Sequence, residues 1–119
     1  MMQHKGLEDG RWAEMSFISQ MANIGSEVGR TAKWKKKGKP EMAQSAFYRA
    51  LELIDLTIKF GRIDKSAAQR SSMLRELCRV RECFCEDYFS EDVNSVDALE
   101  QYFMHFAMAE RLSSNKSKA

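Results

Sequence analysis

Apolar side chains recur at three- and four-residue spacing along most of the chain, in four blocks separated by short polar breaks. That spacing is the mark of a helix with one face turned to a core. The first block predicts a helix over about Ser16–Lys36, extended at its start by Trp12–Met15 if the same face continues. Met15, Ile18, Ala22, Gly25, Gly29 and Ala32 form one stripe, and Phe17, Met21, Ile24 and Val28 form a second beside it. At about 100° per residue the two stripes together cover about 180°, wider than a single core face. Ser19, Gln20, Asn23, Ser26, Glu27 and Arg30 take the opposite side.

The second block predicts a helix over about Pro40–Phe60. Met42, Ala43, Ala46, Phe47, Ala50, Leu51, Leu53, Ile54 and Ile58 fill one half, and Gln44, Arg49, Glu52, Asp55 and Lys59 the other. Gly38 and Pro40 read as a helix stop followed by a first helical position, and Gly61 as the stop of this second helix. The third block predicts a helix over about Ser66–Phe89, with Met73, Leu74, Leu77, Cys78, Val80, Phe84, Tyr88 and Phe89 inward. Arg75, Glu76, Arg79, Glu82 and Glu86 mark its polar face, and Arg81 lies near the centre of the apolar arc. The fourth predicts a helix over about Val96–Leu112, with Leu99, Tyr102, Phe103, Phe106 and Ala109 on the face and Glu110 intruding near the end. Ser95 is its expected N-cap, with Asp97 in the first turn.

Short connections between helices of similar length predict an all-α fold, an antiparallel up-down-up-down four-helix bundle. One proline in 119 residues agrees. That length makes one domain, 1–119, with 1–11 and 113–119 expected to be flexible. The formal charge is +2, from 19 Lys+Arg against 17 Asp+Glu. Such balance argues against a nucleic-acid coat protein or an acidic tail. No apolar run approaches the ~20 residues of a membrane span, and Met1–Gly10 lacks the apolar core of a signal peptide. The expected location is the cytoplasm, with no membrane partner.

Several chemistries are missing. Cys78, Cys83 and Cys85 are an odd set on one helix, and residues two apart point about 200° apart, so Cys83 and Cys85 cannot share a metal. No Glu-x-x-His pair exists for a di-metal bundle. Glu52-Leu53-Ile54-Asp55 resembles half of the all-α nucleotide pyrophosphohydrolase pattern, but no Glu-x-x-Glu precedes it. There is no Gly-x-Ser-x-Gly and no phosphate-cradling glycine loop. No catalytic residue, metal or cofactor is nominated, and the reading leans away from an enzyme.

The stretches Met15-Ser16-Phe17, Gln20–Val28, Arg49–Ile58, Arg75–Glu82 with Asp87-Tyr88-Phe89, and Tyr102-Phe103 through Phe106 to Arg111 resemble a family of small bacterial all-α proteins. The resemblance implies a helical bundle and no established activity. More distantly the chain resembles the bundle subunits that partner minimal nucleotidyltransferases. Ribonuclease members of that group carry an Arg four to six residues before a His. The histidines here are His4 and His105, and no Arg stands at that spacing before His105, so only the bundle shape carries over.

Three features remain as candidate sites. Arg81, if buried, needs a carboxylate such as Glu110, Asp55 or Glu52, unless it snorkels out. Alternatively its fork holds an anionic ligand, with Asp55 and Glu110 beside it. Lys33-Trp34-Lys35-Lys36-Lys37-Gly38-Lys39 puts five lysines around one aromatic. There Lys33, Trp34 and Lys36 are nominated to stack a base and hold phosphate. Cations at a helix C-terminus followed by a solvated turn are the plainer reading. Finally, Ala22, Gly25, Gly29 and Ala32 narrow the first stripe to small residues. A glycine inside a helix costs about 1 kcal/mol against alanine, so close approach of another helix is expected, from this chain or a second copy. These features favour a non-enzymatic interaction module acting as a homodimer or on a partner protein. Nucleotide or RNA binding is the alternative, and a small hydrolase or toxin-like RNase comes last.

Overall fold

The computed structural model describes residues 10–60 and 66–118, with side chains as far as Leu112. The chain is all-helical, with no strand among the described residues: α1 Trp12–Glu14, α2 Phe17–Lys36, α3 Pro40–Phe60, α4 Ala67–Phe89 and α5 Asp97–Lys118. The expected helix stop at Gly61 and the flexible ends at 1–9 and 119 lie outside the described residues.

Local chemistry sets the boundaries. Ser16 is extended and its Oγ accepts from the Ser19 backbone N–H at 3.1 Å, which starts α2 and separates it from the short α1. Gly38, at φ +66°, ends α2. Its N–H donates to the Lys35 carbonyl and the Lys39 N–H to the Trp34 carbonyl, the two bonds of a Schellman stop. Pro40 then opens α3. Ser66 and Gln69 exchange hydrogen bonds at the start of α4 as a capping box.

α2 lies between α3 and α5, and this placement corrects the expected polar face. Gln20 is fully buried and Glu27 is nearly so, because the flank that sequence assigned to water faces a neighbouring helix. The Glu27 carboxylate accepts from Arg30 at 2.5 Å and from Arg49 of α3 at 3.0 Å, so the buried charge is paired from both sides. α1 packs on α3: Trp12 is buried and its indole N–H donates to Thr57 Oγ1 at 2.9 Å. Gln20 Nε2 donates to the Trp12 carbonyl at 2.7 Å. The core joins Met21, Ile24 and Val28 of α2 to Phe47 and Ile54 of α3, Leu77 and Phe84 of α4, and Phe103 of α5.

Contacts along α2 and α5 run in opposite order: Ser19 with Glu110, Gly25 with Phe103, Lys36 with Asp97. The same holds for α3 and α4, where Phe47 meets Tyr88 and Asp55 meets Arg81. α4 is the least embedded long helix. It buries Leu77, Val80 and Phe84, while residues 67–72 are exposed throughout.

Two expectations shift at the ends of α5. The helix continues to Lys118, six residues past Leu112. Ser95 does not cap it. The first intrahelical bond runs from the Glu100 N–H to the Val96 carbonyl, and the Ser95 hydroxyl instead donates to the Asp87 carbonyl of α4.

Candidate functional site

Arg81 is not buried at the centre of an apolar arc. Its side chain is 39% exposed and lies over α3, donating to Asp55 from Nε at 2.8 Å and from Nη2 at 3.4 Å. The arc was misplaced because Cys78 and Phe89 look apolar and are both exposed. Without them the buried set, Leu77, Val80 and Phe84, is centred roughly 70° from Arg81 at the helical period. Arg81 and Asp55 therefore meet, as an ion pair between two half-exposed side chains. Glu110 joins neither. It accepts from Ser19 Oγ at 3.2 Å, on the α2 side of α5. A common anion cleft of Arg81, Asp55 and Glu110 does not form.

The lysine run is divided by the helix that carries it. Lys35 points inward, and its ammonium donates to the carbonyls of Asp87, Tyr88 and Ser90 and to Ser95 Oγ, at 2.7–3.0 Å. It caps the C-terminal end of α4, where the carbonyls left over by the helix collect partial negative charge. Burial lowers its pKa from the ordinary lysine value, and the carboxylates of Asp92 and Asp87 oppose that shift. Lys36 pairs with Asp97 at 2.6 Å, in the first turn of α5. Lys33 and Lys37 flank Trp34, 4.9 and 5.5 Å from its ring centre. Lys36 thus has a carboxylate partner of its own chain, and two lysines already stand over the indole ring.

The small-residue stripe divides as well. Ala32 is a core residue. A Cβ placed on Gly25 would stand 2.7 Å from Phe103 Cβ, and one on Gly29 would stand 2.9 Å from Glu100 Oε2. The close neighbour is therefore α5 of the same chain, and Ala32, buried within the chain, is corrected as a contact to a second copy. The two glycines differ in what must move. Phe103 Cβ is fixed to the α5 backbone, whereas the Glu100 carboxylate can swing aside. Gly29→Ala is expected to stabilise by about 0.5–1 kcal/mol through helix propensity. Gly25→Ala is expected to destabilise by about 1 kcal/mol, because overpacking outweighs the same gain. Urea unfolding midpoints of the two variants check this.

Ala22 and Gly25 do reach the surface. With Ser26 of α2 and Glu100, Phe103, Met104 and Ala107 of α5 they line an open groove of about 170 Å³. Met104 at its rim is 50% exposed, and Met108 and Leu112, one and two turns further along α5, are 55% and 62% exposed.

A second cleft, of about 310 Å³, opens between α4 and α5. Val80, Ala98 and Leu99 form its apolar wall, and Glu76, Arg79, Cys83, Asp87 and Tyr102 its polar rim. The Tyr102 hydroxyl is pushed up to about 12, first by burial and then by the Glu76 carboxylate it bonds. It stays a protonated donor at neutral pH. Glu76 and Arg79 belong to the face expected to be solvated; the signal for the cleft is that Cys83 and Asp87 continue their stripe at seven- and eleven-residue spacing from Glu76.

No cluster of metal-ligating side chains occurs among the described residues, and no described helix is long and apolar enough to cross a membrane. No family model, no curated protein and no solved structure matches the chain.

Proposed function

We propose that the chain is a non-enzymatic helical interaction module of the bacterial cytoplasm, an antiparallel up-down-up-down four-helix bundle that works as a homodimer. The observation that carries the reading is the α2–α5 face. Met104, Met108 and Leu112 stand half or more exposed at four-residue spacing, beside a groove whose walls include Ala22, Gly25 and Ser26. Ridge and groove on one face are what a two-fold interface needs, since each copy offers the same patch to the other. Methionine suits the ridge because its unbranched side chain adapts to an irregular surface.

Native mass spectrometry and sedimentation of the wild type and of Met104→Glu combined with Met108→Glu test this. A wild-type dimer at tens of micromolar is expected, and a monomer of unchanged helicity for the double variant. A wild-type monomer at hundreds of micromolar, or a dimer that tolerates both charges, overturns the reading. Bulky substitution of Gly25 does not serve here, because it disturbs the contact with Phe103 within one chain.

A further inference from the structure

Phe89 is 75% exposed, the most exposed of the large apolar side chains described. Its ring is nonetheless held. It meets Tyr88 edge-on at 4.9 Å and Phe47 edge-on at 5.8 Å, while Tyr88 lies flat on Phe47 at 3.9 Å. A braced stack of rings therefore ends in one that presents itself to water. In front of it lies a pocket of about 350 Å³, lined by Lys35, Gly38, Lys39, Pro40, Ala43, Tyr88 and Phe89. Two cations and two aromatic rings line this space, and no carboxylate does. The Lys35 ammonium is fixed on the α4 carbonyls and supplies charge from behind. Lys39 has no carboxylate within ion-pair distance among the described residues. Its stem starts at the α2–α3 turn, at the pocket's edge.

We propose that this pocket binds a mononucleotide, with the base stacked on Phe89 and the phosphate held by Lys39. The chemistry needs a planar ring next to a compact anion. A ring alone leaves the lysine unused, and an anion alone leaves the aromatic wall wet. Base–aromatic stacking tolerates any base, since each has a π-face, so no base preference is claimed. The site is distinct from the one sequence suggested for the same ligand class: Trp34 and Arg81 are not part of it.

Titration calorimetry at low salt with adenosine 5′-monophosphate, adenosine and inorganic phosphate tests the proposal. The monophosphate is expected to bind at least tenfold tighter than either fragment, and to weaken with salt as a phosphate contact does. Phe89→Ala and Lys39→Gln are each expected to weaken it about tenfold. Phe89→Leu, which keeps apolar bulk and loses the ring, should match the alanine variant. Both positions are exposed, so folding should be unaffected, and circular dichroism verifies that. No binding at millimolar monophosphate overturns the proposal. Equal binding of inorganic phosphate, an adventitious ion only, or affinity indifferent to Phe89→Leu, overturns it too. Binding of a short single-stranded RNA far more tightly than the monophosphate also overturns it, in favour of an extended polyanion surface.

Discussion

Phe103→Ala is expected to cost about 3–5 kcal/mol, the range for removing a buried phenyl group without refilling its space. Phe103 is 1% exposed and faces Gly25 across the α2–α5 junction. Its ring also touches Tyr102 edge-on at 5.1 Å, and Phe106 at 6.5 Å. The loss is a large share of a total stability of about 5–15 kcal/mol. α5 packs chiefly on α2, and its other bonds to α2, Lys36–Asp97 and Ser19–Glu110, are polar and partly exposed. Exposed ion pairs contribute about 0–1 kcal/mol, so with Phe103 gone α5 is left with the burial of Leu99 and the edge contact of Phe106 with Phe17. The variant should therefore unfold at lower urea, and its α5 amides should exchange with solvent faster than those of α3. A loss under 1 kcal/mol would mean that the core closes over the vacated space, and that α5 is held by contacts other than this anchor.

How much of this could be read from the sequence depended on whether a residue's role was set by its own helix or by a neighbour. The helix at Phe17–Lys36 was legible because local groups fix it: Ser16 at the start, Gly38 and Pro40 at the end. The buried stripe Met21, Ile24 and Val28 was legible because the helical period puts it on one face. Gln20 and Glu27 were not, because their burial follows from helices on two sides of α2, and a single helix's periodicity cannot count its neighbours. Arg81 shows the opposite failure. Periodicity placed it centrally only because Cys78 and Phe89 were counted as core, and apolar character alone does not say that a side chain is covered. The close approach at Gly25 was foreseen from the cost of glycine in a helix. Which chain supplies the neighbour is a tertiary fact, and the answer is Phe103 of the same chain.

The same distinction governs the lysines, and Lys35→Met makes it measurable. The substitution keeps the apolar stem and removes the ammonium, so what is lost is the donor and its charge. Lys35 serves the carbonyls of Asp87, Tyr88 and Ser90 and the hydroxyl of Ser95 at once. It ties three segments together: the end of α2, the end of α4 and the connection into α5. A charge-assisted hydrogen bond contributes about 1.5–3 kcal/mol where its acceptor stays dry. Here the outer carbonyl, on Ser90, can turn to water and the inner two less easily, so a loss of about 2–3 kcal/mol is expected. Lys33→Met and Lys37→Met remove the same charge from the same seven-residue run, and each should change stability by less than about 0.5 kcal/mol. Only the unequal response separates a structural donor from general surface charge. Were all three variants equally mild, water would be replacing the ammonium fully at the end of α4. Were all three equally severe, the run would be acting through its summed charge, and Lys35 would have no special place in the fold.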